Sequence, residues 1–353
     1  MKIHDSIDIS KDIYFEEHLS SHVINDIELA KRLLTDNRVS ADRLSIKFQY
    51  VDQKNPYIQS VIDFYRNWLM YMEGESHKML RNACLKHLNT VVKQFNFYSY
   101  IKIKCENYFI KDKRKDVSLF IEDLVSSLIA EIIGIKKDEY IKLIEKSKDI
   151  VTFLYSPSPL EEEAQKVLQS INFTKEFLEE IYYSEGFKEN SILHEMKKAD
   201  MFSLDIVINI LVDGHDPLCS ALNTVVLNYF QNDFSLYENI KYSLKYYPPF
   251  THCVRVATAQ IELPNEYVIK DGDYIFIVLP QHEKCPFSNH EAIPFGYGGH
   301  TCLGKKMTEE SLKGLINSFN DLSMKKLYNI NNYNINDLFG YYSFTSVTIS
   351  KSS

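Results

Sequence analysis

Apolar residues recur at three- and four-residue intervals over most of this chain, the spacing that gathers them on one face of an α-helix. Residues 26–35 carry Ile27, Leu29, Leu33 and Leu34 at that spacing and run into the turn-forming Asp36-Asn37-Arg38. The same period predicts helix over 61–88, interrupted around Gly74, and over 116–146 through Phe120, Leu124, Leu128, Ile132 and Ile133. Ser156-Pro157-Ser158-Pro159 reads as a loop, and helix resumes over 160–183. Residues 192–230 form a longer helical stretch whose middle, 202–212, is apolar on nearly every side, as in a helix that crosses a protein interior. Helix is predicted once more over 305–322.

Strict alternation is confined to short tracts. Residues 261–279, with turns at Pro264-Asn265 and Asp271-Gly272, predict short strands and a hairpin, and 341–350 predicts a strand. The Asn- and Tyr-rich patch at 329–336 reads as a loop. The fold class is mainly α with small β-sheets.

Composition narrows the function. The 353 residues are 45% hydrophobic and carry a net charge of -8, enough apolar material for a large core and the wrong sign for a nucleic-acid surface. Cys84, Cys105, Cys219, Cys253, Cys285 and Cys302 form no Cys-x-x-Cys pair, a reduced, cytoplasmic pattern rather than a disulfide framework. No apolar run is long enough to span a membrane, and the first 17 residues contain no signal-peptide core. His282, Cys285 and His290 fit no ordinary zinc spacing.

The chemistry concentrates in Phe295-Gly296-Tyr297-Gly298-Gly299-His300-Thr301-Cys302-Leu303-Gly304. Glycines at 296, 298 and 304 let a loop press its cysteine against a flat ligand, and a thiolate so held suits an axial bond to haem iron. Phe-Gly-x-Gly-x-His-x-Cys-Leu-Gly resembles the haem-binding signature of the cytochrome P450 family. The resemblance covers about residues 26–350 and implies one P450-like domain, 1–353, shortened at the N-terminus and in the meander before the cysteine loop. It implies haem b (iron-protoporphyrin IX) with Cys302 as the iron ligand, His300 reaching a propionate and Phe295 packed beside the sulfur. His77 and Arg81, four apart and so on one helix face, would bind propionates, with Arg255 as a further propionate partner. Trp68 ahead of that pair is also family-like.

Asp213-Gly214-His215-Asp216-Pro217 stands where the family has Gly-x-acid-Thr over the distal side of the haem. Gly214 and Asp216 fit, whereas the threonine is Pro217, which has neither hydroxyl nor N–H. Asp216 is then the proton carrier, or else Gly214 and Pro217 only bend the helix and Asp216 caps the segment beyond it. Aligning on Pro248-Pro249 puts Tyr242 and Lys245 in place of the family's Glu-x-x-Arg ion pair, with aromatic packing by Tyr242 as the substitute.

Three functions follow from the resemblance. The leading one is monooxygenation of a small or medium organic molecule in bacterial specialised metabolism, with electrons from a ferredoxin or flavodoxin docking near Lys78, Lys305 and Lys306. Pro217 opens a peroxide-dependent or oxygen-independent alternative. Loss of the threonine and of Glu-x-x-Arg opens a non-catalytic binding or recruitment protein.

Overall fold

The computed structural model describes residues 7–44, 48, 54–111, 115–155, 160–280, 291–338 and 341–351. In chain order it begins with strands β1 (Ile13–Glu16) and β2 (Ser21–Ile24), helix α1 (Ile27–Leu33) and strand β3 (Val39–Ser40). Helices α2 (Pro56–Arg66), α3 (Gly74–Gln94), α4 (Phe97–Cys105), α5 (Val117–Ile133), α6 (Lys137–Tyr155), α7 (Glu161–Tyr183), α8 (Ile192–Lys198), α9 (Leu204–Gln231) and α10 (Leu236–Tyr246) follow. The chain closes with β4 (His252–Ala257), β5 (Ile261–Leu263), β6 (Tyr267–Ile269), β7 (Tyr274–Val278), α11 (Lys305–Asp321), α12 (Met324–Leu327), β8 (Tyr328–Leu338) and β9 (Tyr341–Lys351). These elements form two compact units, one of residues 1–40, 96–124 and 216–353, the other of 41–95 and 125–215.

The first unit is organised on a five-stranded sheet of order β1-β2-β7-β4-β3. The short N-terminal segment ahead of α1 thus supplies two strands. Among them β2 is buried along its whole length and runs parallel to β7. Its sequence is polar at one end because His22 is matched there: Nδ1 meets the Tyr267 hydroxyl and Nε2 the Asp273 carboxylate, each at 2.8 Å. Ile24, Ile275 and Ile277 from this sheet pack with Ile27, Ala30 and Leu33 of α1, whose start is capped by the Asp26 carboxylate accepting from Leu29 N–H. In the same unit α11 approaches α4 so closely that a Cβ at Gly314 would lie 2.9 Å from Ile101 Cδ1.

One sequence expectation is corrected in this unit. Residues 329–336 are strand, not loop, because they pair along β9, with Ile330 opposite Ile349 and Tyr333 opposite Val347. Asparagine disfavours strands by local propensity, but partner pairing decides strand formation more than propensity does. Two register shifts in the pairing absorb the irregular spacing of the apolar positions.

The second unit is helical. Its core stacks Tyr65 on Trp68 (5.6 Å) and on Phe153 (6.2 Å), with the Tyr65 hydroxyl donating to the Ile150 carbonyl. Helices α6 and α7 are joined through Asp149, which accepts from both Lys166 and Ser170. Within the tract 116–146, Gly134 ends α5 at φ +103°, a left-handed conformation, where the sequence places a turn after Ile133. The tract 192–230 is two helices, separated at 199–203. Ser156-Pro157-Ser158-Pro159 lies outside the described residues. Among those described, no helix is long and apolar enough to cross a membrane.

The His22–Asp273 contact carries a pH signature. Burial works to raise the Asp273 pKa, but the His22 side chain and the Lys270 N–H outweigh it and hold it below the ordinary value. A lowered carboxyl pKa stabilises the fold above the unfolded value of about 3.9, and the contribution is lost as pH falls through the folded one. Unfolding free energy measured against pH should therefore fall on acidification below about pH 4, and Asp273→Asn should flatten that limb.

Candidate active site

Residues 293–304 fold into a loop closed by its own backbone. Gly296 N–H donates to the Ile293 carbonyl at 2.9 Å, and Cys302 N–H reaches back to the Phe295 carbonyl at 2.8 Å. Thr301 ties the middle, its hydroxyl donating to the Gly298 carbonyl at 2.9 Å. Gly296 and Gly298 have φ near +70°, where other residues are strained. A Cβ at Gly298 would also sit 2.8 Å from the Leu34 carbonyl oxygen at the end of α1. This closure leaves the Cys302 side chain exposed while its backbone is fixed. Gly304 immediately precedes α11, and its Cβ position is 3.8 Å from Cys302 Sγ. The thiol therefore stands at the positive end of a 17-residue helix, where an anion is favoured. The His300 ring has its Nε2 buried, and Lys305 Nζ lies 5.9 Å from the Phe295 ring centroid.

Arg255 is in the same unit, on β4 and partly buried, with one guanidinium nitrogen donating to the Val254 carbonyl at 2.8 Å. Tyr242 packs against Phe234 (5.0 Å), Tyr246 (4.8 Å) and Tyr247 (6.2 Å), and Tyr247 continues to Tyr342 on β9. Tyr342 N–H donates to the Pro249 carbonyl. An aromatic run thus leads from the end of α10 to β9, and Lys245 lies over Tyr246.

In the second unit His77 and Arg81 lie one turn apart on the face of α3 that also presents Cys84, Leu88 and Val91. His77 is 5% exposed. This is the buried face of the helix; Lys78, paired with Glu75, points to solvent. A solvated basic stripe is thereby excluded for His77.

Helix α9 continues through Pro217 to Gln231, so Asp216 is not a cap. Asp216 is exposed and Gly214 partly buried, with its Cβ position 3.8 Å from Ile129. Pro217 has no N–H for the carbonyl of Asp213, four residues earlier. The Asp213 side chain received no role from the sequence, and the structure gives it the most distinctive surroundings of the tract. Its Oδ2 accepts from Trp68 Nε1 at 2.8 Å. Asp213 is exposed by accessible surface, although many protein atoms surround it. Burial pushes its pKa up to about 7, and the indole N–H only partly offsets this. An acid beside the glycine, in an otherwise apolar tract, was the sequence signal. On the same helix the buried His215 meets the Tyr140 hydroxyl at 2.9 Å. His282, Cys285 and His290 lie outside the described residues.

No protein-family model and no curated protein matches this chain. Solved structures do. The cytochrome P450 CYP109B1 from Bacillus subtilis matches with a TM-score of 0.74 at 15% identity, over 99% of this chain and 98% of that one. P450BioI, solved with an acyl carrier protein ligated to hexadec-9Z-enoic acid, matches with a TM-score of 0.74 at 15% identity, over 98% and 97%. CalO2 matches with a TM-score of 0.76 at 13% identity, over 97% and 93%. The chain has the cytochrome P450 fold.

The cysteine loop should tolerate no side chain at 298. Gly298→Ala combines left-handed strain with a backbone overlap and should cost about 1–3 kcal/mol, read as a lowered unfolding midpoint in denaturant. Gly299→Ala, whose Cβ would meet nothing within 4 Å, is the matched control and should change little.

Proposed function

We propose that this protein is a haem-thiolate oxidoreductase that oxidises a small or medium organic molecule, with Cys302 as the axial ligand. The observation that carries the reading is the cysteine loop: an exposed thiol on a fixed backbone at the positive end of α11. The donor set fits such a group. A haem needs one soft axial donor and partners for two carboxylates, and the chain offers a thiol together with Arg81, Arg255, His77 and His300. A bound haem supplies the oxidative chemistry, while the protein supplies binding, orientation and protons.

In this reading Gly296 and Gly298 shape the loop, Phe295 anchors Cys302 through its carbonyl, and Gly304 keeps the space beside the sulfur open. The helix N-terminus stabilises the thiolate. His77, Arg81, Arg255 and His300 would bind the propionates. Asp216 and Gly214 remain the proton-delivering segment of α9. Electrons come from a ferredoxin or flavodoxin.

Pro217 favours a second reading in which peroxide serves as oxidant. A proline inside an unbroken helix leaves that position without a hydroxyl to hold water, so the route that needs controlled proton delivery to oxygen is the one weakened.

The purified protein, reduced with dithionite under carbon monoxide, should give the red-shifted carbonyl band of thiolate ligation, and Cys302→Ala should abolish it. A protein that stays colourless after haem reconstitution sinks both readings. Turnover with peroxide and no reductase, exceeding turnover with a reductase and oxygen, would select the second.

A further inference from the structure

We propose that Asp213, held by Trp68, is the recognition point for a cationic group of the substrate, so that the protein acts on organic ammonium compounds. This substrate class rests on the haem-thiolate reading of the function.

A carboxylate that faces apolar and aromatic side chains is ordinarily paired with a cation or hydrogen-bonded at several of its lone pairs. Asp213 has neither. Among the described residues its side-chain partner is Trp68 Nε1, which engages Oδ2 and leaves Oδ1 without a hydrogen bond. Among the described residues no cationic side chain is paired with it. The residue nevertheless keeps accessible surface, so a ligand can reach the carboxyl.

The donor that aims it is rigid. Trp68 is 4% exposed and stacked on Tyr65, and the following N–H, of Leu69, donates to Asn209 Oδ1 one turn before Asp213 on the same helix. The short segment 68–69 is thereby fastened to α9 at two successive turns. The carboxyl orientation is set before any ligand arrives.

Its neighbourhood also suits a cation. Phe64 lies 6.3 Å from the Trp68 ring and 5.7 Å from that of Tyr65, and Phe64 and Val212 pack on the same aromatic and aliphatic cluster. Aromatic faces attract organic cations, and low-dielectric surroundings strengthen an ion pair. A neutral alcohol could fill one lone pair of the carboxylate and would leave the charge uncompensated; an ammonium group meets both needs.

The test compares benzyltrimethylammonium with neopentylbenzene, its neutral isostere, by calorimetric titration of the haem-loaded protein. The cation has no lone pair and so cannot bind iron directly. It should bind about tenfold or more tightly than the isostere, the factor of one desolvated cation contact of about 1.4–2 kcal/mol. Asp213→Asn should erase the difference by weakening the cation alone. If Asn impairs folding, Asp213→Ser, which removes the charge with a smaller polar side chain, reads the same way. Equal affinity of the wild type for both probes, or a cation preference that survives in the variants, overturns the proposal. The carbonyl spectrum separates the two claims. A thiolate band without cation preference defeats this inference alone, whereas a colourless protein that still prefers the cation defeats the haem reading and leaves the recognition point standing.

Discussion

The single hydrogen bond from Cys302 N–H to the Phe295 carbonyl closes the loop on which the candidate chemistry depends. A thiol useful as a ligand has to be exposed and immobile at once, and exposed side chains are ordinarily mobile. Here immobility is transferred to the backbone. Two left-handed glycines allow the turn, and α11 begins directly after Gly304. Gly298 lies against the last carbonyls of α1, which is itself packed on the five-stranded sheet. The loop that carries the sulfur is therefore seated against the end of α1, whose apolar side chains pack on the sheet.

Helix α9 shows a second constraint, that of carrying polar groups through apolar surroundings. Asn209, Asp213 and His215 lie within seven residues, and each has an identifiable partner: Leu69 N–H, Trp68 Nε1 and the Tyr140 hydroxyl. Such groups are expensive to bury and cheap to keep once matched. Pro217 adds a complication, because it withholds a backbone donor from the carbonyl of Asp213 while the side chain of that same residue is committed to Trp68. The densest polar arrangement in this tract thus sits where the main-chain ladder is weakest.

Much of this was legible in the sequence, for reasons that can be named. Glycines at 296, 298 and 304 predict a tight loop; 296 and 298 take positive φ, while Gly304 lies at φ -78° at the start of α11. Four-residue spacing put His77 and Arg81 on one face, and the apolar residues further along α3 mark that face as the buried one. The apolar tract before Gly214 became the interior part of α9. What local pattern missed was set by partners distant in sequence. Residues 329–336 become strand only because β9 is there to pair with them, and the environment of Asp213 depends on an indole 145 positions away. The aromatic packing expected of Tyr242 is present, but its continuation through Tyr247 to Tyr342 joins segments about a hundred residues apart, which periodicity cannot reveal.

That aromatic run has a consequence of its own. In the first unit, rings at the end of α10 and on β9 touch through their edges and faces. Ion pairs weaken as dissolved salt screens them, while aromatic contacts carry no net charge to be screened and gain from salts that strengthen apolar burial. The segment around Pro248-Pro249 is thus braced by a contact indifferent to ionic strength, and it keeps its hold under salt that loosens the ion pairs on the protein's surface.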